Sequence, residues 1–364
     1  IIAADEGVMP QTREHLAILD LLEVQKGIIA VTKTDLVDDD WLKLVHTDIL
    51  DLVQGTVLEK APLVSLSATT RHGIPELIDT LQKTLKHTGP RADTGHARLP
   101  IDRVFTVAGL GTVVTGTLMD GSLSLGQEVE VVPGATRARI RGLQTHHKKL
   151  EVARPGSRVA ANLSGITTKE VRRGQVITPH GWLRPSDSQD IHIRIIKDSP
   201  QDLRHNSHVR VYTGTSESNA RIRLLESDKL TPGQEGWAQL RLDNPIPVVR
   251  GDRLIIRSSE WTLGGGQVIE PFAKRHKRRD ATTIGKLTAL KRDSPEDRMV
   301  SLLEAKEPCS LDTLLTNSNL SAEAGSAVIK ILLQQGKTIS ISEDADSTNA
   351  LFYSTTGWVQ LVRK

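Results

Sequence analysis

Three short stretches near the start of the chain hold side chains whose types and spacing suit ligand chemistry. They are Asp5-Glu6-Gly7-Val8-Met9-Pro10-Gln11-Thr12-Arg13-Glu14-His15, then Thr32-Lys33-Thr34-Asp35, then Ser67-Ala68-Thr69. The second and third each close a short apolar run, and ligands in open α/β sheets sit at the carboxyl ends of strands. A guanine base presents a ring N–H and an exocyclic amino group, and a carboxylate such as Asp35 accepts from both; adenine lacks that amino group. A buried polar group left unpaired costs about 1–3 kcal/mol, enough to separate the two bases. Lys33 would lay its aliphatic stem along base and ribose, and the Ala68 N–H would meet the guanine carbonyl. A Lys-x-Asp turn after a strand also commonly caps the next helix, so the order of all three stretches carries the reading.

Other tempting motifs dissolve on inspection. The sequence has no Gly-x-x-x-x-Gly-Lys-Ser/Thr loop: Gly336-Lys337-Thr338 has Ile331 where the first glycine must stand, and a helical pattern precedes it. Gly109-Leu110-Gly111 is followed by a strand rather than a helix, which suits a tight turn. His146-His147-Lys148-Lys149 lacks a second cluster at metal-ligand spacing and reads as an exposed turn. Cys309, the single cysteine, has no adjacent histidine and reads as a small core residue.

The elements that must position these residues follow from periodicity. With 364 residues, two to four domains are expected. Residues 1–90 alternate strand and helix, with helices over 12–22, 38–53 and 74–85 and strands over 27–31 and 62–66, which is α/β text. The run Ile1-Ile2-Ala3-Ala4 opens inside that pattern, so an internal fragment lacking the opening half of a doubly wound domain is expected, with apolar faces left open. Residues 91–185 and 186–273 read as short Val/Ile/Thr strands separated by glycine turns, each an antiparallel β-barrel. A basic linker over 274–294 leads to helices and a β-hairpin over 295–364, a truncated winged helix ending in an interrupted helix. Breaks are placed at 88–90, 94–95 and 184–187.

Composition excludes several classes. No apolar run approaches the roughly 18 residues of a membrane-spanning helix, and the lone cysteine allows no internal disulfide, so a reducing, cytoplasmic setting is expected. The net charge of +3 conceals an asymmetry: −6 over 1–90, +6 over 91–189, zero over 190–273, +6 over 274–293 and −3 thereafter. A polyanionic partner held off-centre would explain it, although most charge runs are solvated faces.

The three opening stretches resemble the GTP-binding domain of translation factors, whose guanine motifs are Asn-Lys-x-Asp and Ser-Ala-x; here Thr32 replaces the asparagine amide with a hydroxyl. The resemblance implies guanine contacts at Thr32, Lys33, Asp35, Ser67, Ala68 and Thr69. Magnesium is held in that family by an Asp-x-x-Gly aspartate and a switch threonine, which this sequence lacks, so the chain alone is not expected to hydrolyse GTP. His15 lies in a helix and is not the switch histidine that positions the attacking water.

The run Ile101-Asp102-Arg103-Val104-Phe105-Thr106-Val107-Ala108-Gly109-Leu110-Gly111-Thr112-Val113-Val114-Thr115-Gly116-Thr117 resembles the opening of domain two of elongation factor Tu and its relatives. Within them, the Asp102-Arg103 pair, Arg158 in Gly156-Ser157-Arg158-Val159-Ala160, and the exit Gly264-Gly265-Gly266-Gln267-Val268-Ile269-Glu270-Pro271 resemble the bacterial selenocysteine-specific factors. That resemblance implies that Asp102, Arg103 and Arg158 grip a selenocysteyl group. A selenol is largely anionic near pH 7, and one guanidinium about 4 Å away contributes roughly 4 kcal/mol before desolvation at an effective dielectric of about 20. Asp102 is expected to orient both guanidiniums through bidentate pairing.

The implied partners are GTP, selenocysteyl-tRNA, the ribosome at UGA codons, and a messenger RNA hairpin bound by winged helices that this chain does not include. A monomer with no membrane contact is expected. The alternatives are another translation-type GTPase, either an elongation factor Tu paralogue or the GTPase subunit of a sulfate-activating enzyme, and a winged-helix DNA-binding regulator. Against the last, residues 322–335 carry only Lys330 as a basic side chain.

Overall fold

The computed structural model describes residues 1–86, 88, 95–292, 295–305, 307–318, 320, 322–342 and 350–362. Parts of the expected first linker (89, 90 and 94), the end of the basic stretch (293–294), the middle of the C-terminal hairpin (343–349) and the last two residues lie outside the described residues.

The first unit is a parallel sheet of β1 (Ile2–Ala3), β2 (Ile29–Thr32) and β3 (Leu63–Ser65), in that order, alternating with α1 (Pro10–Leu21), α2 (Asp39–Val53) and α3 (Ile74–Lys86). Pro10 opens α1, where its missing N–H costs nothing. Asp38 caps α2 by accepting from the Trp41 N–H at 2.8 Å, and Asp39 and Asp40 complement the positive end of its dipole. Ile2, Val31, Val45, Ile49 and Val53 form the core between the sheet and α2. As expected for residues 1–90, apolar faces stay open: Leu44, Leu50, Ile78, Leu81 and Leu85 are exposed, and α3 buries no residue fully. An open cavity of about 550 Å³ beside β1 is lined by Ile2, Met9, His15, Leu16, Leu19 and Leu58.

The second unit holds β4 (Leu99–Val107), β5 (Gly111–Thr117), β6 (Leu123–Ser124), β7 (Glu128–Val132), β8 (Thr136–Thr145), β9 (Lys148–Leu150), β10 (Val152–Ala153), β11 (Arg158–Ser164) and β12 (Val176–Thr178). Pairing runs β11-β5-β4-β12-β7-β8, and β11 also pairs with β8, which closes a six-stranded barrel. Gly109 and Gly111 adopt positive φ at the β4–β5 turn, and His146 and His147 form the exposed β8–β9 turn.

The third unit comprises β13 (Pro185–Ile195), β14 (Leu203–Arg204), β15 (His208–Thr213), β16 (Ser216–Leu224), β17 (Lys229–Leu230), β18 (Glu235–Pro247), β19 (Arg253–Arg257) and β20 (Thr262–Glu270). β13, β18, β16, β15, β19 and β20 close a second six-stranded barrel. The break read at 184–187 falls instead inside the start of β13: Pro185 takes the first strand position, where no ladder donor is lost, and a bulge separates Ser186 from Ser188. The glycines of β20 permit close strand approach, since a Cβ on Gly266 would stand 1.9 Å from the His192 carbonyl oxygen.

Polar contacts join the units, along with an apolar seam of Val132, Val176 and Leu183 against Val249. Arg98 Nη1 bonds both carboxylate oxygens of Asp252 at 2.8 and 2.9 Å, linking the two barrels across side chains about nine-tenths buried. Helix α1 lies against the second barrel: Asp20 pairs with Arg194 at 2.6 Å, Glu14 accepts from Thr262 at 2.7 Å and pairs with Arg257 at 3.2 Å, and the turn residue Glu23 pairs with Arg253.

The basic stretch expected as a linker is not an open connector, for it carries helix α4 (Ala281–Arg292), whose Leu287 packs with Leu225, Trp237 and Ile269 of the second barrel. Beyond it come α5 (Pro295–Ala305), β21 (Cys309–Ser310), α6 (Leu311–Ser318), α7 (Ala322–Gln334), β22 (Thr338–Ser340), β23 (Leu351–Ser354) and α8 (Thr355–Val362), with strands in the order β21-β23-β22. Cys309 is buried with Met299, Leu303, Leu314, Ile329, Leu332 and Phe352, as expected of a small core residue. Gly336 sits at positive φ after α7, its N–H on Leu333 O and that of Lys337 on Leu332 O, so the Gly-Lys-Thr triplet is a helix terminus.

Because the Gly266 contact is with backbone rather than a yielding side chain, Gly266→Ala should destabilise the second barrel by at least about 2 kcal/mol. Urea unfolding checks this, and an unchanged midpoint would mean that the strands part freely at that position.

Candidate functional site

The parallel register Ile29↔Leu63 and Val31↔Ser65 brings the carboxyl ends of β2 and β3 side by side, and Ala4 N–H bonds Thr32 O where β1 ends. All three opening stretches therefore share one end of the sheet. The Thr32 hydroxyl turns inward and donates to Ile2 O at 3.4 Å, which ties the loop to β1. Lys33 adopts a left-handed backbone (φ 57°) and opens a 3₁₀ turn, Thr34–Leu36, on which Asp35 is exposed. Lys33 Nζ contacts Asp5 Oδ2 at 2.9 Å and Glu6 at 3.7 Å. The hydrogen bond that Lys33 donates to Asp5, together with the two carboxylate charges, holds the ammonium above its ordinary value against the opposing effect of burial.

Ser67 is fully buried; its Oγ accepts the Thr70 N–H at 3.1 Å and its own N–H bonds His72 O, so it shapes the loop, leaving Ala68 and Thr69 exposed beside Asp35's turn. Thr34 N–H reaches Leu66 O at 3.4 Å and joins the two loops directly.

The second group lies on the first barrel. Ile101 faces Gly116 and Arg103 faces Thr115, so Asp102 is the extra residue of a β-bulge. Bulges re-aim side chains and are frequent beside functional sites. Opposite it only glycine fits, because a Cβ on Gly116 would stand 2.1 Å from Pro100 O. Arg158, at the start of β11 and in register with Thr117, places Nη1 2.6 Å from Asp102 Oδ2. Thr115 donates to Asp102 Oδ1 at 2.6 Å. The expected bidentate orientation of two guanidiniums is thus corrected: Asp102 gives one oxygen to Arg158, while Thr115 takes the other. Arg103 is exposed and acts on Asp102 through its charge. Burial raises the Asp102 carboxyl, but hydrogen bonds from Thr115 and Arg158 and the charges of Arg158 and Arg103 prevail, so it titrates below its ordinary value.

The result is one carboxylate beside two guanidiniums, of which Arg158 remains about half exposed. A net positive, partly open cluster of this kind has the charge to attract a small anion. Two features escaped sequence reasoning. Thr115's bond to Asp102 depends on the bulge, which leaves no mark on periodicity, and the pairing of α1 carboxylates with barrel arginines is long-range. The only available signal for the latter was the presence of Glu14 and Asp20 in α1 and of Glu23 in the turn after it, six and three residues apart.

Comparison with known proteins agrees with this architecture. Residues 1–87 match the elongation factor Tu GTP binding domain, residues 111–178 match elongation factor Tu domain 2, and residues 189–275 match the beta-barrel domain of selenocysteine-specific elongation factor. The chain is 43% identical over 79% of its length to the selenocysteine-specific elongation factor of Desulfomicrobium baculatum, covering 46% of that protein. It is 34% identical over 76% of its length to that of Haemophilus influenzae, covering 44%. Among solved structures, apo SelB from Methanococcus maripaludis superposes with a TM-score of 0.69 at 25% identity, over 75% of this chain and 64% of that one. A bacterial selenocysteine-specific elongation factor gives 0.69 at 22% identity over all of this chain and 67% of that one, a likeness of fold.

The fold class is therefore that of elongation factor Tu and its relatives, with a region matching the GTP binding domain and two six-stranded barrels. Within it, this chain is a homologue of the selenocysteine-specific elongation factors, and it spans a little under half the length of the two curated relatives.

The depressed Asp102 carboxyl fixes the sign of a pH effect. Its contribution to stability is present above the unfolded-state value near 3.8 and is lost as pH falls through its lower folded value. Asp102→Asn should be less stable than the parent at pH 7, with the gap closing below pH 3.8. Urea unfolding across a pH series tests it; a gap independent of pH would show that the carboxylate is not ion-paired.

Proposed function

We propose that this chain is the part of a selenocysteine-specific elongation factor that contacts the guanine of GTP and cradles the selenocysteyl end of its transfer RNA. The observation that carries this reading is the Asp102–Arg158 pair on a bulge with Arg103 beside it. A selenolate approaching Arg158 meets a guanidinium already held at 2.6 Å by Asp102, so little ordering remains to be done on binding. Serine presents a neutral hydroxyl and cysteine a mostly protonated thiol, and neither rewards two guanidiniums as an anion does.

At the sheet's end, Asp35 accepts from the guanine donors, the stem of Lys33 covers base and ribose, and the Ala68 N–H meets the base carbonyl, with Thr32, Ser67 and Thr69 shaping the two loops. To do so Lys33 exchanges part of its contact with Asp5 for the nucleotide. Magnesium would bind with the phosphates through an Asp-x-x-Gly aspartate and a switch threonine that this sequence does not carry, and no group of three or more His, Cys, Asp or Glu among the described residues could hold a metal ion. In the whole factor, docking on the ribosome at a UGA codon triggers GTP hydrolysis.

Residues 1–90 form the back half of the GTP-binding domain, 91–185 and 186–273 the barrels, and 295–364 a winged helix; the helix and strand order of the last supports that reading. Further winged helices bind the messenger RNA hairpin. The factor acts as a cytoplasmic monomer without membrane contact; no helix among the described residues is long and apolar enough to cross a membrane.

Two measurements on the full-length factor test this. With GTP at fixed salt, the same transfer RNA carrying selenocysteine should bind more tightly than when it carries cysteine or serine, and Arg158→Ala should shrink that preference about tenfold or more. Equal binding of all three would remove the anion pocket and favour a general aminoacyl-tRNA carrier. Asp35→Ala should weaken GTP about 10- to 100-fold while leaving ATP unchanged; equal losses for both nucleotides would displace Asp35 from the base.

A further inference from the structure

The basic stretch between the second barrel and α4 has no role in either site. Residues 274–293 carry a net charge of +6, concentrated in Lys274-Arg275-His276-Lys277-Arg278-Arg279. A solvated run of this kind would dangle, but here it is fastened to the barrel along its length. Ala273 N–H bonds Ser188 O, Gln239 donates to Lys274 O at 2.8 Å, and His276 Nε2 lies 2.6 Å from Asp190 Oδ2, which is almost fully buried. Arg278 bonds Leu224 O and Ser227 O, and the Arg279 N–H bonds Leu225 O.

Fastening leaves the strap's charges unbalanced. Asp190 is taken by His276 and Gln239, and Asp228 is shared between Arg278 and Arg279 at 2.6 and 2.8 Å. Arg223, on β16 beneath the strap, pairs with no carboxylate among the described residues: its two terminal nitrogens go to Gln239 Oε1 and His276 O. Burial and the neighbouring guanidiniums of Arg275 and Arg278 hold it below the ordinary arginine value, a sign of positive charge in excess. Arg275 and Lys277 are exposed and make no hydrogen bond or ion pair among the described residues, although Lys277 lies near Asp280.

We propose that the strap 274–279, with Arg223 beneath it, is a surface for the phosphodiester backbone of a transfer RNA. Three arginines on a pinned segment, with Arg223 beneath them, suit phosphate, which their planar forks can meet bidentately, and ordering them costs little because the strap is already held. The choice of transfer RNA among polyanions rests on the function proposed above, since that is the RNA this chain would itself carry. The surface reads backbone charge and is indifferent to the attached amino acid.

The test is the salt dependence of transfer RNA binding to the full-length factor with GTP. Each lost phosphate contact lowers the slope of log affinity against log salt by about 0.7–0.9, so Arg275→Gln with Lys277→Gln should lower it by about 1.5. Affinity should fall equally for selenocysteyl, seryl and uncharged forms, whereas failure of the anion pocket would alter their ratio alone. Both residues are exposed and tie down nothing, so folding is not at stake; Arg275→Glu should deepen the loss, and Lys60→Gln, an exposed lysine far along the chain, should change nothing. An unchanged slope overturns the proposal. A slope that falls for an RNA hairpin but not for transfer RNA, or polyglutamate competing as well as RNA of equal charge, overturns the chosen partner.

Discussion

The bond between Arg98 and Asp252 is the constraint on which the rest of this molecule depends. Both side chains are about nine-tenths buried, and Asp252 also accepts the Val249 N–H at 2.9 Å, so its carboxylate is saturated. Removing one partner of such a pair strands a buried charge, which commonly costs about 3–5 kcal/mol. Together with the Ser216 hydroxyl, which donates to Gly174 O at 2.6 Å, and the apolar contact of Val132, Val176 and Leu183 with Val249, the pair holds the first barrel and the bulge at Asp102 in place relative to the second barrel, its strap and α1.

Charge is distributed to serve the same end. The excess acid of residues 1–90 is not spread evenly: Glu14, Asp20 and Glu23 meet Arg257, Arg194 and Arg253. The second barrel, neutral overall, spends part of its arginine complement on that contact. Asp102 shows the opposite balance, with more cation than anion around a single carboxylate. Partnered charge joins the units, while surplus charge faces outward.

Much of this was legible in the sequence, and the exceptions have physical causes. The helices of the first unit were read within two residues because their apolar spacing and caps are local; α1 begins at Pro10 rather than residue 12 because proline at the first position carries no periodic signal. The longer strands were visible, but β6, β9, β10, β14 and β17 span two or three residues, too few to show alternation. The start of β13 was hidden by Ser186, Ser188, Gln189 and Asp190, polar residues that are buried where the strand pairs with β18, and at Asp190 with β20 as well, rather than by apolar character. The candidate site residues could be named from the sequence because the motifs carrying them are contiguous. What Asp102 does with its two oxygens was not, since that depends on a bulge and on Thr115 of the neighbouring strand.

The contact of Lys33 with Asp5 has a further consequence. Asp5 stands at the head of the turn that enters α1, and α1 is the element clamped to the second barrel. Whatever draws Lys33 away from Asp5 releases a carboxylate at one end of a segment whose other end is ion-paired elsewhere. Thermodynamic linkage makes any such relation reciprocal: if a ligand that competes for Lys33 alters the barrel contact of α1, a ligand that stabilises that contact alters the first one's affinity by the same factor. The Lys33 loop and the second barrel are thus joined through one short helix.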